Sequence, residues 1–174
     1  MQILLFRHGI AADAANPGAG AGQDDAARPL TEEGIRKTTA TARGLATLIG
    51  RPDAILTSPR LRAVQTAEIL SKALNRRVTT LPELGGSSPA RLARRIKSLE
   101  GDLVVLVGHE PSLSIVTQML CTGRQDESYL ELKKAGCACV EVPRGKSTGT
   151  DDKPGEPRLL WLATPAMLRA LAKD

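Results

Sequence analysis

The chain has 174 residues, 41% of them hydrophobic, and a formal net charge of +5 at pH 7. This length predicts a single domain over residues 1–174, which buries about two thirds of its unfolded surface. Phe, Tyr and Trp occur once each, which argues against the aromatic stacking platforms that bind single-stranded nucleic acid. We therefore expect no nucleic-acid partner, and the positive charge favours a phosphorylated or otherwise anionic one.

The three cysteines are an odd number, and the sequence has no secretory signal, which predicts reduced thiols in a cytoplasmic protein. The spacing Cys137-Ala-Cys139 is not that of a zinc site. The apolar run at the N-terminus is too short to span a membrane, so we expect a soluble protein with no membrane partner.

The first predicted element is a buried strand, Leu4-Leu5-Phe6, that ends in Arg7, His8 and Gly9. The glycine allows the backbone to turn sharply at that point. Residues 10–29, rich in Ala, Gly, Asp and Pro, predict a long surface loop, and long loops within a compact domain are commonly functional. The strand therefore places an imidazole at the sheet edge where ligands bind in open α/β folds.

The next elements are a helix, a strand and a second helix. Thr31 is typical of an N-cap, and Gly50 ends the helix that follows it. Residues 53–57 predict the strand. Ser58 then predicts a helix cap with Pro59 at the first helical position, and this second helix extends to about Asn75.

The rest of the chain continues the alternation of strands and helices. The predicted elements are a strand at 77–81, a loop at 82–89, a basic amphipathic helix containing Leu92, Ile96 and Leu99, a strand at 102–107, a helix from Leu113 to Cys121 capped by Ser112, a strand pair at Tyr129–Leu132 and Cys137–Val142, an exposed loop at 143–157, a strand at 158–163 and a helix at 165–173. This order predicts an α/β fold, a three-layer α/β/α sandwich whose central sheet is mainly parallel, with antiparallel edges added by the late strand pair.

Each of the two histidines follows a Leu/Val-rich strand and stands beside a glycine. If these strands are neighbours in a parallel sheet, His8 and His109 meet at one edge. The start of the helix after Ser58 belongs to that edge too, and it brings Arg60 or Arg62 to the same place.

Such a cationic set, with Arg7 beside it and no nearby nucleophilic Ser or Cys, suits a tetrahedral dianion. Arginine matches phosphate oxygens in geometry as well as charge. A neutral imidazole is a competent nucleophile near pH 7, so the pattern predicts phosphoryl transfer to His8. The sequence has no Gly-rich phosphate loop and no acidic cluster for Mg²⁺, so we expect no cofactor and no metal.

Three stretches carry a family resemblance: Arg7-His8-Gly9, Ser58-Pro59-Arg60-Leu61-Arg62-Ala63 and Gly108-His109-Glu110-Pro111. They resemble the histidine phosphatase superfamily, which also contains phosphoglycerate mutases, and the similarity spans about Met1 to Leu120. The stretch Arg28–Gly34 and the short chain are similar to the SixA-type phosphohistidine phosphatases. The resemblance implies a phosphoglycerate mutase-like fold.

The resemblance also implies roles for individual residues. His8 would be the nucleophile, and Arg7, Arg62 and His109 would bind the phosphoryl group, with His109 protonated. In many relatives an acidic residue after the third strand protonates the leaving group, and Glu83 falls near that place. The sequence that follows it, Leu-Gly-Gly-Ser-Ser, departs from the family pattern. The absence of a clearly placed general acid favours phosphoramidate substrates, because an imidazole leaves easily once it is protonated.

We therefore expect a metal-independent phosphatase that acts on phosphohistidine in a protein, through a covalent phosphohistidine intermediate on the enzyme. One alternative is a general phosphatase of small phosphomonoesters. Another is a non-catalytic module that binds phosphate or a polyanion. Because Arg62 matches the family position, the resemblance implies that Arg60 stands at the pocket rim. We expect Arg28 to fix the long loop rather than touch the phosphate.

Overall fold

The computed structural model describes residues 1–13, 25–124, 130–143 and 155–172. The strands are β1 (Gln2–Arg7), β2 (Ala54–Thr57), β3 (Val78–Thr80), β4 (Leu103–Gly108), β5 (Cys137–Glu141) and β6 (Arg158–Ala163). The helices are α1 (Glu32–Leu48), α2 (Leu61–Leu74), α3 (Pro89–Lys97), α4 (Ser112–Thr122) and α5 (Pro165–Leu171). The strands form one sheet in the order β3-β2-β4-β1-β5-β6.

The sheet is mainly parallel, as the sequence predicts. β3, β2, β4 and β1 run parallel to one another, whereas β5 is antiparallel to both β1 and β6. Side chains alternate across the sheet, so Leu4 and Phe6 pack with α1, α2 and α5, while Ile3 and Leu5 pack with α3 and α4. Helices therefore cover both faces, and the α/β/α prediction is confirmed.

The predicted strand at Tyr129–Leu132 is wrong in its described part. Leu130–Leu132 has no strand conformation, and Tyr129 lies outside the described residues. The carbonyl of Leu132 accepts a hydrogen bond from the Arg7 side chain instead of joining a ladder. β5 pairs with β1 and β6, so the antiparallel edge comes from these two late strands. Residues 14–24 and 144–154, within the two predicted loops, lie outside the described residues.

The three predicted helix caps have different outcomes. Thr31 caps α1, because its Oγ1 accepts a hydrogen bond of 2.9 Å from the N–H of Gly34. Ser58 does not cap α2, which begins at Leu61 with Arg60 at its N-cap position; the Ser58 hydroxyl accepts the N–H of Arg60 over 3.3 Å and is also bonded to His109, which follows β4. Ser112 is the first residue of α4 rather than its cap, since the helix starts one residue earlier than predicted.

Candidate active site

His8 lies immediately past β1, at the carboxyl edge of the parallel strands, and is 8% exposed. Its backbone N–H donates to the carbonyl of Gly108 on β4, over 3.1 Å. The N–H of Gly9 donates to Oγ1 of Thr66 on α2, over 3.0 Å. A Cβ atom at position 9 would lie 2.3 Å from Oγ1 of Thr38, so this turn needs a glycine for close packing. The strand end is therefore held from two sides.

The hydrogen bond of the His8 ring defines which nitrogen is free to react. Nδ1 lies 2.7 Å from the carbonyl oxygen of Gly9, and a carbonyl can only accept, so Nδ1 carries the proton. The lone pair of the neutral ring is then on Nε2. The pKa of the imidazole is lowered from 6.5 to about 4, mainly by burial and also by the nearby guanidinium groups of Arg62 and Arg7, against the hydrogen bond to Gly9, which raises it. The His8 ring is therefore neutral at pH 7, with a free lone pair on Nε2.

His109 follows β4 and faces His8. The two ring centroids lie 5.0 Å apart, and the ring planes are inclined by 54°. Nε2 of His109 is hydrogen-bonded to Oγ of Ser58, over 2.8 Å. The pKa of His109 is lowered to about 3, mainly by burial and also by the charges of His8 and Arg62. The expected protonated form of His109 is therefore not the form of the ligand-free protein at pH 7.

Arg62 lies in the first turn of α2 and is 3% exposed. Its Nη1 donates to the backbone carbonyl of Asp25 over 2.6 Å, and its Nη2 donates to Oδ2 of the same residue over 3.0 Å. The hydroxyl of Thr66 donates to the Arg62 carbonyl over 2.7 Å and also accepts the Gly9 N–H. One threonine thus links the turn after the nucleophile to the turn that carries the arginine.

Arg7, the last residue of β1, is held on the α4 side of the sheet. Its Nη1 donates to the carbonyl of Leu132 over 2.6 Å, and the carboxylate of Glu131 lies 4.0 Å away. Because Leu132 lies in the segment before β5, this contact attaches the irregular segment to the carboxyl edge of the sheet.

Three buried nitrogen atoms near His8 have no hydrogen-bond partner among the described residues: Nε of Arg7, Nε of Arg62 and Nδ1 of His109. Buried polar atoms are rarely left unpaired in proteins, and a ligand is one standard reason for an exception. Both guanidinium groups lie close enough to affect the charge of His8. An oxyanion beside His8 would satisfy such donors, and a phosphoryl group has the charge and oxygen geometry to do so.

Glu110, next to His109, lines a cavity of about 530 Å³ together with Arg7, Ser114 and Leu130. Burial raises the pKa of its carboxyl group above the ordinary value of 4.5, and Oε1 has no hydrogen-bond partner among the described residues. The cavity adjoins the nucleophile through Arg7, so a carboxyl group with a raised pKa stands at the border of the site.

Glu83 lies in a 3₁₀ turn over Pro82–Gly85 and is half-buried. It lines a different cavity, of about 500 Å³, with Arg91 and Arg95 of α3. The turn packs on the site, since a Cβ at Gly85 would lie 2.9 Å from Pro59. The Glu83 side chain makes no hydrogen bond or ion pair with a described residue, and neither histidine is among the residues that line its groove.

Several residues of the site were not predicted as such. The sequence pattern at Ser58 is typical of a helix cap, whereas its hydroxyl contacts His109, and the sequence assigns no role to Asp25 or Thr66, although both bind Arg62. Only Asp25 had a usable signal, an acidic residue in the loop that leaves the nucleophile. The Arg28 prediction agrees with its contacts, because it bonds Asp25 and the carbonyl of Ala12 within the loop.

Cys137 and Cys139 are buried free thiols of β5. Within the described ranges, no cluster of three or more His, Cys, Asp or Glu side chains is placed to hold a metal ion. In the same ranges, no helix combines the length and the apolar character that crossing a membrane requires.

Comparison with known proteins gives the family. Residues 3–87 match the model of the histidine phosphatase superfamily, branch 1. Phosphohistidine phosphatase SixA of Escherichia coli is 32% identical over 71% of this chain and 76% of its own length. An uncharacterized protein of Picosynechococcus is 41% identical over 78% of this chain and 82% of its own length. The chain belongs to the histidine phosphatase superfamily.

Solved structures give the same fold. The protein histidine phosphatase SixA complexed with tungstate has a TM-score of 0.76 and 27% identity, covering 95% of this chain and 98% of that one. Phosphoserine phosphatase of Entamoeba histolytica has a TM-score of 0.65 and 17% identity, covering 96% and 98% of the two chains. The fold is therefore that of the phosphoglycerate mutase-like proteins, and it is shared with small-molecule phosphatases.

Proposed function

We propose that this protein is a phosphohistidine phosphatase that removes phosphate from a histidine of a protein substrate, through a phosphoryl intermediate on His8. The observation that carries the proposal is a neutral His8 whose Nε2 is free, beside two buried guanidinium groups with unpartnered Nε atoms. The similarity to a SixA structure complexed with tungstate, a tetrahedral oxyanion, supports this chemistry.

In the first step, Nε2 of His8 attacks the phosphorus in line with the bond to the leaving nitrogen. The new N–P bond forms while the substrate N–P bond breaks, and the substrate imidazole leaves with the electron pair and a proton. Arg7 and Arg62 bind the equatorial oxygens, where negative charge is concentrated. The incoming dianion raises the pKa of His109, so its ring donates a hydrogen bond to the phosphoryl group in the complex.

In the second step, water attacks the phosphorus, the electron pair of the His8 N–P bond returns to Nε2, and phosphate leaves with both protons of the water. Nδ1 of His8 remains bonded to the Gly9 carbonyl through both steps, which keeps Nε2 in its attacking position. The guanidinium groups supply the charge stabilisation, so we expect the activity to survive a metal chelator.

The leaving group separates this proposal from a general phosphomonoesterase. An alkoxide needs a proton from a positioned acid, whereas an imidazole that is already protonated leaves without one. We propose Glu83 as that acid for ester substrates only. Comparing kcat/KM on a phosphohistidine protein and on sugar phosphates, with and without Glu83→Gln, tests this. The ester rates should fall and the phosphohistidine rate should remain.

The intermediate is tested with a substrate labelled in the phosphoryl group. Brief incubation should give an acid-labile, alkali-stable phosphoenzyme, which His8→Ala lacks and which a matched His109→Ala variant still forms at a lower rate. Tight phosphate binding without any phosphoenzyme or turnover would identify a non-catalytic binding module. Higher kcat/KM on sugar phosphates than on a phosphohistidine protein would favour the phosphomonoesterase alternative.

A further inference from the structure

Asp25 is the common partner of three arginines. Its carboxylate accepts hydrogen bonds from Nε of Arg28 over 2.8 Å, from Nη1 of Arg60 over 2.7 Å and from Nη2 of Arg62 over 3.0 Å. The hydrogen bond from Arg62 contributes most to lowering the pKa of Asp25 to about 2. The carboxylate is 48% exposed, so a permanent negative charge faces solvent at the site entrance.

The proposed reaction requires only one of these three arginines. Arg62 is needed for the phosphoryl group, but Arg60 and Arg28 lie further out and are both paired with Asp25. Arg60 and Asp25 are also close enough to affect the charge of His109. Without Asp25, two rim cations beside the phosphate site would be available to a second acidic group of a substrate.

We infer that Asp25 is a specificity-determining residue, which occupies the rim arginines and excludes substrates that carry a carboxylate or second phosphate near the phosphoryl group. The inference rests on the proposed phosphatase site and deepens it. A phosphoryl group on an imidazole carries no second anionic group and can approach the rim without repulsion. A phosphorylated hydroxy acid would bring its carboxylate towards Asp25 and find Arg28 and Arg60 already paired.

The test uses two ligands that differ in one acidic group, glycerol 3-phosphate and 3-phosphoglycerate. Their Kd values are measured by calorimetry in a His8→Ala background, where no turnover occurs, with Asp25 intact and with Asp25→Asn. A general change in phosphate affinity, caused by release of Arg62, affects both ligands and cancels in the ratio of their Kd values. The ratio therefore reports only on the second acidic group.

With Asp25 intact, 3-phosphoglycerate should bind no more tightly than glycerol 3-phosphate. Asp25→Asn should tighten the binding of 3-phosphoglycerate about tenfold relative to that of glycerol 3-phosphate, because the carboxylate of the ligand replaces that of Asp25 as the partner of a rim arginine. Adding Arg60→Gln to Asp25→Asn should remove most of that gain. Asp102→Asn, an exposed acid at the opposite end of β4, changes the net charge equally and should leave the ratio unchanged.

An unchanged ratio in a folded Asp25→Asn variant would overturn the inference and reduce Asp25 to a loop contact. If that variant does not fold, the protein with Asp25 intact provides the test. Clearly tighter binding of 3-phosphoglycerate than of glycerol 3-phosphate to that protein contradicts the inference. Failure of the proposed function has a different signature. It appears as absence of turnover and phosphoenzyme, whatever the ratio of the two Kd values.

Discussion

The imidazole rings of His8 and His109 face each other with centroids 5.0 Å apart in a largely buried site. Burial is the main cause of the lowered pKa of each ring, and nearby arginines add to it, as does the charge of His8 in the case of His109. The ligand-free protein therefore holds both histidines neutral at pH 7. In the proposed reaction a bound dianion reverses the balance for His109, so we expect this ring to become a proton donor only when a phosphoryl group is present.

The first prediction concerns pH and stability. The pKa of His8 is about 4 in the folded protein and 6.5 in the unfolded chain, so the unfolded chain binds more protons between these values. The stability associated with a neutral His8 is fully present above pH 6.5 and is lost as pH falls towards 4. We expect the free energy of unfolding to drop by about 2 kcal/mol from His8 alone between pH 7 and pH 5.

Urea unfolding at several pH values measures this drop. A plot of the free energy of unfolding against pH should be flatter for His8→Gln than for the unchanged protein. His109→Gln removes a second group with a lowered pKa and should flatten the plot by a comparable amount. The same dependence of stability on pH in all three proteins would show that the two histidines do not cause it.

The second prediction concerns Ser58. Its hydroxyl is buried and hydrogen-bonded to His109, so Ser58→Ala frees the ring to rotate away from the phosphoryl position. We expect kcat/KM to fall about tenfold, the scale of one lost hydrogen bond. In a His109→Ala background the same substitution should have little further effect. Additive losses in this double-mutant cycle would mean that Ser58 acts independently of His109.

How far the sequence predicted the fold depends on how local each signal is. The apolar runs of β1 and β4 are strong signals, and each ends in the glycine and histidine that form the site. The capping pattern at Thr31 is also local, because the acceptor lies three residues before its donor. These elements were predicted correctly.

Signals that depend on distant partners were misread. Ser58 before a proline is typical of a helix cap, but its partner His109 is 51 residues away. The alternation at Leu130–Leu132 indicated a strand, but the Leu132 carbonyl is bonded to Arg7, 125 residues away. Asp25 offers only a weak local signal, an acidic residue in the loop after His8, since its importance comes mainly from Arg60 and Arg62 at the start of α2.

The third prediction concerns Glu110. Burial raises the pKa of its carboxyl group in the folded state, so its contribution to stability is present below the unfolded value and is lost as pH rises through the folded one. Glu110→Gln should therefore raise Tm at pH 7, and the gain should shrink below about pH 4.5, where the unfolded carboxyl is also neutral. Thermal unfolding at pH 7 and pH 4 measures the difference. A lower Tm at pH 7 would show that the ionised carboxylate is stabilising.

The last prediction concerns the packing of α1 on α5. A Cβ at Gly44 would lie 1.7 Å from the backbone carbonyl oxygen of Leu168, a contact that no rotamer change can relieve. Gly44→Ala should therefore separate the two helices and lower the free energy of unfolding by about 2 kcal/mol or more, despite the better helix propensity of alanine.

Gly50 provides the matched control for this substitution. It lies just past the end of α1, and a Cβ there would meet no atom within 4 Å. Gly50→Ala should be neutral or stabilise by up to about 1 kcal/mol, because it reduces the freedom of the unfolded chain. Urea unfolding of the two variants measures the contrast. α1 packs on the same side of the sheet as Leu4 and Phe6. Equal stability of the two variants would mean that the close contact between α1 and α5 is not a fixed part of the core on that side.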